Sequence, residues 1–397
     1  MSDVRTYTAR WVFPVAGPPL ADGTITIRGE VIESVDPHGV RTPDEDLGNV
    51  AIVPGLVNPH THLDLSGARG LIPPTDPDHF TDWLRGVIAY RRTRTSDQVQ
   101  ADIRAGLAEC LKYGTTLIGD IAAGGASWDA MVNAKLRAVV FFEMIGLSEE
   151  LARISGRAAS DWNREHPRTT TCRAAWSPHA PYSARWTFFG GGTQEDIYSS
   201  HLAESPGEIE LLATKTGPFV DFLTALGVWD PAAFAAIPKL LIRSRLIGTF
   251  LFAHANYFPL TACKYIAGLH SIVYCPRTHA AFRHPPHPFR EFLQRSVRVC
   301  LGTDSLASNP DLDILAEARF VHAKYPDFSC VALLKMITLS GAEALGWANE
   351  TGSLEPGKSA DFVSVPLPDR DAADPHELLF ADHPGDRRTM FRGEWRS

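Results

Sequence analysis

Eight apolar, strand-like segments alternate with helical or loop segments along the middle of this chain, and this alternation limits its fold more than any other feature. In order they read AIVPGLVNPHTH, TTLIGDIA, RAVVFFEMIG, CRAAWSPHAPY, IYSSHLAE, TFLFAHANY, SIVYCPRTH and VRVCLGTDS. Between the fourth and the fifth, the triple glycine of ARWTFFGGGTQED argues against a full helix. Because each parallel strand needs a return connection, eight such units in succession are typical of a (β/α)8 barrel. The sequence therefore predicts an α/β protein built on a TIM-like barrel.

Both ends of the chain carry short strand-like pieces separated by Gly and Pro. Near the start, DGTITIRGEVIESV alternates apolar and polar residues and turns as a hairpin would. Near the end, GSLEPGKSADFVSVPL and RRTMFRGEWRS show the same character. We therefore expect residues 1–55 and 348–397 to pair into one small β-sandwich domain, beside a barrel of residues 56–347.

Charge and cysteine content narrow the functional class. The formal net charge is -8 and the pI is about 6.0, so the chain has no basic field to hold nucleic acid or an anionic membrane. No apolar run reaches the length of a membrane span, and the first residues lack the apolar core of a signal peptide. The six cysteines are scattered without a C-x-x-C pair, which is typical of reduced thiols. These features predict a cytoplasmic protein without a nucleic-acid or membrane partner.

Histidines and one aspartate recur at the ends of the predicted strands. His60 and His62 end the first strand, His201 the fifth, His254 the sixth and Asp304 the eighth. Catalytic groups of (β/α)8 barrels lie at the carboxyl ends of the strands, and residues two apart in a strand point to the same face. Imidazoles together with a carboxylate form a ligand set for zinc or a similar divalent cation. A metal centre is therefore expected in the mouth of the barrel.

The motifs PGLVNPHTHLDLS, SSHLAES, LFAHAN, CLGTDS and GSLEPGKSADFVSV resemble, in this order, those of the metal-dependent amidohydrolase superfamily. The resemblance covers nearly the whole chain and points to the branch of cytosine deaminases and chlorotriazine hydrolases. It implies a metal held by His60, His62, His201 and Asp304. Binuclear members bridge their two ions with a carboxylated lysine at the end of strand four, where CRAAWSPHAPY has no lysine. One divalent ion per subunit is therefore expected, zinc before iron or manganese.

The same resemblance implies roles for neighbouring residues. Glu204 would transfer protons, His254 would hydrogen-bond the attacking water, and Asp304 would accept a proton from it. The implied reaction is a deamination, in which oxygen replaces an exocyclic amino group of a purine- or pyrimidine-like ring or nucleoside and ammonia leaves. His179 ends strand four, and Trp83 lies in DHFTDWLRGVIAYR after strand one; both are expected to contact this small heterocyclic substrate.

Two other functional readings remain open. In an amide hydrolase or deacetylase of the same superfamily, Glu143 of FFEMIG would bind the metal, although Glu204 argues against this reaction. A non-catalytic scaffold is disfavoured because every expected ligand is present. Among the deaminases, HTHLDLSGARG, FTDWLRGVIAYR and GTDSLASNPDLDILAEAR most resemble the aminodeoxyfutalosine deaminases. Relatives in this branch are commonly dimers, so a homodimer is expected.

Several other polar residues are expected to be structural. Arg91, Arg92 and Arg94 form a charge run that predicts a solvated helix face. His284 and His287 lie in the Pro-rich RHPPHPF and are predicted to be loop residues. His279 stands at the end of strand seven, where many members of the branch carry a Ser-Asn pair, and receives no role.

Overall fold

The computed structural model describes residues 4–190 and 192–396. The strands are β1 (Val4–Thr8), β2 (Trp11–Val12), β3 (Leu20–Ala21), β4 (Thr24–Arg28), β5 (Val31–Asp36), β6 (Glu45–Asp46), β7 (Val50–Pro54), β8 (Leu56–Thr61), β9 (Thr115–Ala123), β10 (Arg137–Met144), β11 (Cys172–Pro178), β12 (Ile197–Leu202), β13 (Thr249–His254), β14 (Ser271–Tyr274), β15 (Arg298–Leu301), β16 (Phe362–Pro366), β17 (Arg388–Phe391) and β18 (Glu394–Trp395). The α-helices are α1 (Phe80–Arg92), α2 (Ser96–Lys112), α3 (Trp128–Val132), α4 (Glu149–Glu165), α5 (Pro206–Thr214), α6 (Pro218–Ala225), α7 (Ile237–Ser244), α8 (Pro276–Ala281), α9 (Phe289–Gln294), α10 (Ile314–Lys324), α11 (Cys330–Met336), α12 (Leu339–Ala344) and α13 (His376–Phe380). Short 3₁₀ segments cover Leu63–Ala68, Pro77–His79, Trp186–Phe189, Pro231–Ala233 and Leu260–Tyr265.

Strands β8 to β15 form one parallel sheet in chain order. The sheet closes where β8 meets the segment after β15, because Thr61 pairs with Asp304 and the Asp304 N–H donates to the His60 carbonyl at 3.0 Å. Every residue of β10 is buried, as expected of a strand covered by helices outside and by barrel side chains inside. The predicted (β/α)8 barrel is confirmed.

Local sequence signals set the connections between barrel strands. Thr95 accepts a hydrogen bond from the Gln98 N–H, and the Gln98 side chain accepts one from the Thr95 N–H, so α2 begins with a capping box. Ser148 likewise caps α4 by accepting from the Leu151 N–H. Between β11 and β12 the described chain forms only the 3₁₀ turn Trp186–Phe189, as the triple glycine predicts.

The two ends of the chain meet in two further sheets. One has the strand order β5-β4-β1-β6, and the other has the order β18-β17-β16-β7-β2-β3. Strand β16, from the C-terminal part, pairs antiparallel with β7, from the N-terminal part. Both ends therefore build one sandwich-like unit, as predicted, while the boundaries at 55/56 and 347/348 stay a prediction.

The apolar segment AIVPGLVNPHTH forms two strands in two different sheets. This corrects the expectation that the whole segment is the first barrel strand. Its first half is β7 of the terminal sheet and its second half is β8 of the barrel, with Gly55 between them. A Cβ placed on Gly55 would lie 2.0 Å from the Thr116 hydroxyl oxygen on β9, so any larger residue would push the backbone away from the barrel. The glycine thus lets the chain pass closely from one sheet to the next.

The barrel is filled by apolar side chains. Val57, Leu117, Val139, Phe141 and Leu251 are buried members of one cluster inside it. This filled interior leaves the carboxyl ends of the strands as the place for polar chemistry. None of the helices in the described ranges combines the length and apolar character needed to span a membrane.

Candidate active site

Four predicted ligands converge at the carboxyl end of the barrel. The donor atoms of His60, His62, His201 and Asp304 all lie within 4.8 Å of one another, and the four side chains are buried. Asp304 Oδ1 lies 3.6 Å from the Nε2 atoms of both His60 and His62, and the Nε2 atoms of His62 and His201 are 3.2 Å apart. Within the described chain both ring nitrogens of His60 lack a hydrogen-bond partner. Buried donors and acceptors are rarely left unpaired, so this set fits a divalent cation.

The ends of the strands adopt uncommon backbone conformations to present these side chains. His60 belongs to β8, whereas His62 lies just beyond the strand with φ -129° and ψ 84°. His254, at the end of β13, has φ 69°, and Asp304, beyond β15, has φ 61°. Positive φ is unfavourable for residues other than glycine and clusters at functional sites, where the surrounding structure maintains it.

Hydrogen bonds from outside the cluster orient two of the ligands. His201 Nδ1 donates to the His179 carbonyl at 2.8 Å, which leaves the Nε2 lone pair free to face the other donors. Asp304 Oδ2 accepts from the Ser308 hydroxyl at 2.8 Å, which leaves Oδ1 facing the histidines. Burial opposes ionisation of Asp304, but the neighbouring rings of His60, with its Nε2 atom at 3.6 Å, and His254 hold its pKa below the usual value. Aspartate 304 is therefore a carboxylate.

The neutral form is favoured in His62, His201 and His254. Burial, followed by repulsion from neighbouring imidazoles, lowers the pKa of His62 and His201 well below the usual value. Burial also lowers the pKa of His254 well below that value, although Asp304 acts in the opposite direction. A neutral imidazole keeps the lone pair that a metal requires.

Glu204 lies beside the four ligands, just after β12. Its Oε1 is 3.4 Å from His254 Nε2, and its Oε2 accepts from the Tyr182 hydroxyl at 3.4 Å. Burial raises its pKa well above the usual range, and the charges of Asp304 and Glu208 raise it further. A carboxyl that stays protonated near neutral pH can act as a proton donor.

Glu208, which the sequence analysis did not single out, supports the backbone around Glu204. Its two carboxylate oxygens accept from the N–H groups of Ala203 and Glu204, each at 2.9 Å, and Ala203 has φ 55°. Burial raises the pKa of Glu208 to about 7. Its position was visible in the sequence, because Ser205 and Glu208 have the S-x-x-E spacing of a helix start. Its hydrogen bonds to the backbone after β12 could not be predicted from the sequence.

Both predicted substrate contacts lie in the wall of the small cavity above the cluster. This cavity has a volume of about 40 Å³, and Trp83, Leu84 and Val87 of α1 line it together with His179 and Tyr182. Such a volume accommodates water molecules, and we expect α1 to shift when a larger molecule enters. Whether Trp83 and His179 contact substrate stays a prediction.

Arg91 is not solvated, which corrects the expectation for the charge run. It donates to Asp64 Oδ2 at 2.9 Å and to Glu143 Oε2 at 3.0 Å, because the last turn of α1 packs against the barrel mouth. Arg94 is also engaged, with both oxygens of Asp102 at 2.8 Å. Only Arg92 of the three is exposed, as expected.

Glu143 is placed with this arginine and not with the metal-ligand group. Its Oε2 accepts from Arg91, and its Oε1 lies 3.7 Å from His179 Nε2. The group whose donor atoms converge consists of three histidines and Asp304, without Glu143. This placement does not favour a metal-binding role for Glu143.

The histidines after strand seven have structural contacts. His287 is buried, and its Nε2 donates to the His254 carbonyl at 2.7 Å, so it supports the end of β13. The ring of His284 lies 3.1 Å from the Tyr257 hydroxyl. His279 is buried in α8, where its ring lies against the rings of Tyr274 and His287. The support that His287 gives to the strand end was not predictable, because its loop position carries no periodic signal.

Comparisons with known proteins agree with this geometry. The profile of the family described as Amidohydrolase family matches residues 51–182 and 198–395. A 5-methylthioadenosine/S-adenosylhomocysteine deaminase of Moorella thermoacetica is 28% identical over 386 residues, which cover 90% of this chain and 84% of that protein. An aminodeoxyfutalosine deaminase of Nitratiruptor sp. is 26% identical over 340 residues, which cover 81% of this chain and 80% of that protein.

Solved structures share the fold. Helicobacter pylori aminofutalosine deaminase in complex with methylthio-coformycin has a TM-score of 0.82 at 20% identity, with 99% of this chain and 100% of that chain covered. An adenosine deaminase from Xanthomonas campestris with bound zinc has a TM-score of 0.78 at 22% identity, with 98% and 92% covered. At this level of identity the likeness establishes the fold alone.

Proposed function

Because this chain belongs to the amidohydrolase family, we propose that it is a mononuclear metal-dependent deaminase. It replaces the exocyclic amino group of a purine- or pyrimidine-like ring or nucleoside with oxygen and releases ammonia. The observation that carries this proposal is the position of the buried Glu204 carboxyl, 3.4 Å from His254 and beside the four converging donors. Burial raises the pKa of this carboxyl well above the usual value. Relatives that match most of this chain are named deaminases, which supports the proposal.

His60, His62, His201 and Asp304 would hold one divalent cation. Their three imidazoles and single carboxylate favour zinc, and the zinc in a structure of the same fold supports that choice over iron or manganese. When bound, such an ion makes hydroxide available near neutral pH.

The residues of this chain then move the protons. Glu204 donates its proton to a ring nitrogen, which makes the amino-bearing carbon electrophilic enough for attack by water. Asp304, which stays ionised, accepts a proton from the attacking water, and His254 hydrogen-bonds the oxygen as the tetrahedral centre forms. Asp304 then passes the proton from the water to the amino group, which departs as ammonia. Glu204 takes up the proton of the new hydroxyl as it becomes the ring carbonyl, and the ring nitrogen keeps the proton that Glu204 donated.

The amide hydrolase reading is weaker. It needs Glu143 as a metal ligand, but Arg91 holds that carboxylate at 3.0 Å. It also gives the buried Glu204 carboxyl no catalytic role, because an amide substrate has no ring nitrogen to protonate. The relatives that match along most of the chain are named deaminases.

Further attributes belong to the same proposal. 5-Methylthioadenosine, S-adenosylhomocysteine and aminodeoxyfutalosine are the first substrates to test, since they appear in the names of relatives. A cytoplasmic location, a homodimer and the absence of nucleic-acid and membrane partners are proposed from the acidic composition and the superfamily resemblance.

A matched pair of variants tests the role of Glu204. Glu204→Gln keeps the size of the side chain but removes its transferable proton, so ammonia release should fall by about two to four decades while metal content stays near one ion per chain. Glu143→Gln should keep the metal and lose less than about tenfold in turnover. Metal analysis and an ammonia assay with the best substrate of the panel provide both measurements.

His60→Ala serves as the control that should lose the metal. If Glu143→Gln lost the metal while Glu204→Gln stayed active, the amide hydrolase reading would replace the deaminase. Two tightly bound ions per chain would contradict the mononuclear site.

A further inference from the structure

The ring of His62 lacks an outer hydrogen bond of the kind that orients His201 and Asp304. His201 Nδ1 donates to a carbonyl, and Asp304 Oδ2 accepts from Ser308. The Nδ1 atom of His62, by contrast, is buried and has no hydrogen-bond partner within the described chain, while its Nε2 atom lies 3.2 Å from that of His201. The direction of this ring must therefore be set by the backbone that carries it.

The backbone of His62 has already left the barrel sheet. The last paired residues of β8 and β9 are Thr61 and Asp120, so His62 lies one residue beyond the ladder. It is followed by the 3₁₀ segment Leu63–Ala68, which its side chain does not cap. The first N–H groups of a helical segment have no partner inside that segment. The N–H of Leu63 therefore needs an acceptor from elsewhere.

Asp120 supplies this acceptor and holds the residues on both sides of His62. Its Oδ1 atom accepts from the Leu63 N–H at 3.0 Å and from the Thr61 hydroxyl at 2.9 Å. The side chain is 1% exposed, and Asp120 belongs to β9, which is paired with β8 on one side and β10 on the other. One fixed oxygen atom thus ties both neighbours of His62 to the barrel.

We propose that Asp120 is a positioning residue for His62 and thereby sets the affinity of the protein for its metal ion. This inference rests on the metal site of the proposed function and adds a residue that does not itself belong to the converging group of donors. A ligand that is already oriented loses less conformational freedom when the ion binds. Loss of an outer contact that orients a ligand typically weakens metal binding about 10- to 100-fold.

Zinc titration of the metal-free protein tests the inference without any substrate. Asp120→Ala removes both hydrogen bonds, so its Kd for zinc, measured by competition with a chromophoric chelator, should be about 10- to 100-fold higher than that of the wild type. Asp120→Asn keeps a carbonyl oxygen that can accept both bonds. It should restore the Kd to within about fivefold of the wild-type value.

Asp361→Asn is the control for a loss of stability alone. Asp361 is also 1% exposed, but it lies just before β16, where it accepts from Arg137 and from the Arg392 N–H. Its replacement should lower the free energy of unfolding of the metal-free protein and leave the Kd for zinc unchanged. The titrations are made under conditions in which every variant is folded, so that unfolding does not contribute to the apparent Kd.

Thr61→Val provides a second variant, which decides the matter if Asp120→Ala does not fold. It replaces the hydroxyl with a methyl group of similar size and removes one of the two bonds to Asp120, while the Leu63 N–H keeps the other. The loss of one hydrogen bond should raise the Kd for zinc about 3- to 10-fold.

Separate outcomes overturn the inference and the proposed function. An unchanged Kd in Asp120→Ala, or in Thr61→Val if the alanine variant does not fold, would contradict the positioning role and leave the deaminase proposal intact. If Asp120→Asn lost as much affinity as Asp120→Ala, the charge of the carboxylate would act in place of its hydrogen bonds, and the inference would be wrong. A wild-type protein that bound no zinc would contradict the metal site itself, and the inference with it.

Discussion

Single residues far from the active site also depend on a defined protonation state. His270 is fully buried, its Nδ1 accepts from the Phe250 N–H at 3.1 Å, and its Nε2 donates to the Ser244 hydroxyl at 3.1 Å. These bonds require the neutral ring. Burial, with a smaller contribution from Arg245, lowers the pKa of His270 from 6.5 to about 3.

His270 should therefore make the protein sensitive to mild acid. The unfolded chain binds a proton on His270 near pH 6.5, whereas the folded chain does so only near pH 3. The stability due to the neutral ring is thus fully present above pH 6.5 and declines as the pH falls towards 3. Between pH 6.5 and pH 5 the loss should be about 1.5 kcal/mol of the free energy of unfolding.

His270→Asn keeps an acceptor near the Nδ1 position but does not titrate. Urea denaturation at both pH values should show that its free energy of unfolding falls by about 1.5 kcal/mol less than that of the wild type. Parallel pH profiles for the two proteins would contradict this assignment.

At the residue scale, the sequence predicted the site residues that stand at the ends of the barrel strands. His201 and Asp304 could be recognised because each ends a predicted strand. Arg91 could not, because a run of arginines does not tell which face of a helix meets the barrel. His287 could not either, since its contact with the His254 carbonyl depends on the path of a loop.

At the scale of elements, helix α1 lines the barrel mouth and is held there by an ion cluster. Arg91 in its last turn joins it to Asp64 in the 3₁₀ segment Leu63–Ala68 and to Glu143 at the end of β10. Burial, opposed by Arg91, raises the pKa of Asp64 to about 6. This ion cluster therefore couples the position of α1 to two strand ends.

Arg91→Met should loosen α1, because it leaves two buried carboxylates without their cation. Amide hydrogen exchange across residues 80–92 should become at least tenfold faster, and kcat/KM should fall by about one to two decades as the cavity loses its cover. Arg92→Met, at the exposed neighbouring position, is the control and should leave the exchange rate unchanged. Unchanged exchange in Arg91→Met would show that packing alone holds the helix.

The strands were largely predictable from the sequence, but the point at which the chain passes from one sheet to the next was not. Apolar runs indicated all eight barrel strands, because strands buried on both faces read as continuous apolar sequence. The same continuity hid the change of sheet at Gly55, since β7 and β8 are equally apolar. Sheet membership depends on long-range pairing that no local pattern records.

At the scale of the whole molecule, the C-terminal segment holds the terminal sheets to the barrel. Asp361, which precedes β16, accepts hydrogen bonds from Arg137 of β10 and from the Arg392 N–H. Both members of the Arg137–Asp361 pair are buried. Arg387, which precedes β17, forms a second contact with the barrel by donating to Asp313, which precedes α10, at 2.7 Å.

Asp361→Asn should lower the free energy of unfolding by about 3 to 5 kcal/mol, because it leaves a buried arginine without its counter-charge. Asp371→Asn removes a fully exposed partner of Arg10 and should have little effect, as is usual for surface pairs. Thermal and urea unfolding measure the free energy of unfolding of both variants.

Removal of the last forty residues, which include β16 to β18, should prevent stable folding. A truncated chain that remained soluble and active would contradict the pairing of the two ends.

The closure of the barrel between Thr61 and Asp304 has a consequence for biosynthesis. Three of the four proposed metal ligands leave the ribosome well before Asp304, the residue that completes the proposed set and also joins the last strand region to the first. Such distant pairing forms late, because the intervening chain must first be ordered. A nascent chain therefore has no complete ion site until most of the barrel has been synthesised, and acquisition of the metal becomes a step that follows translation of the barrel.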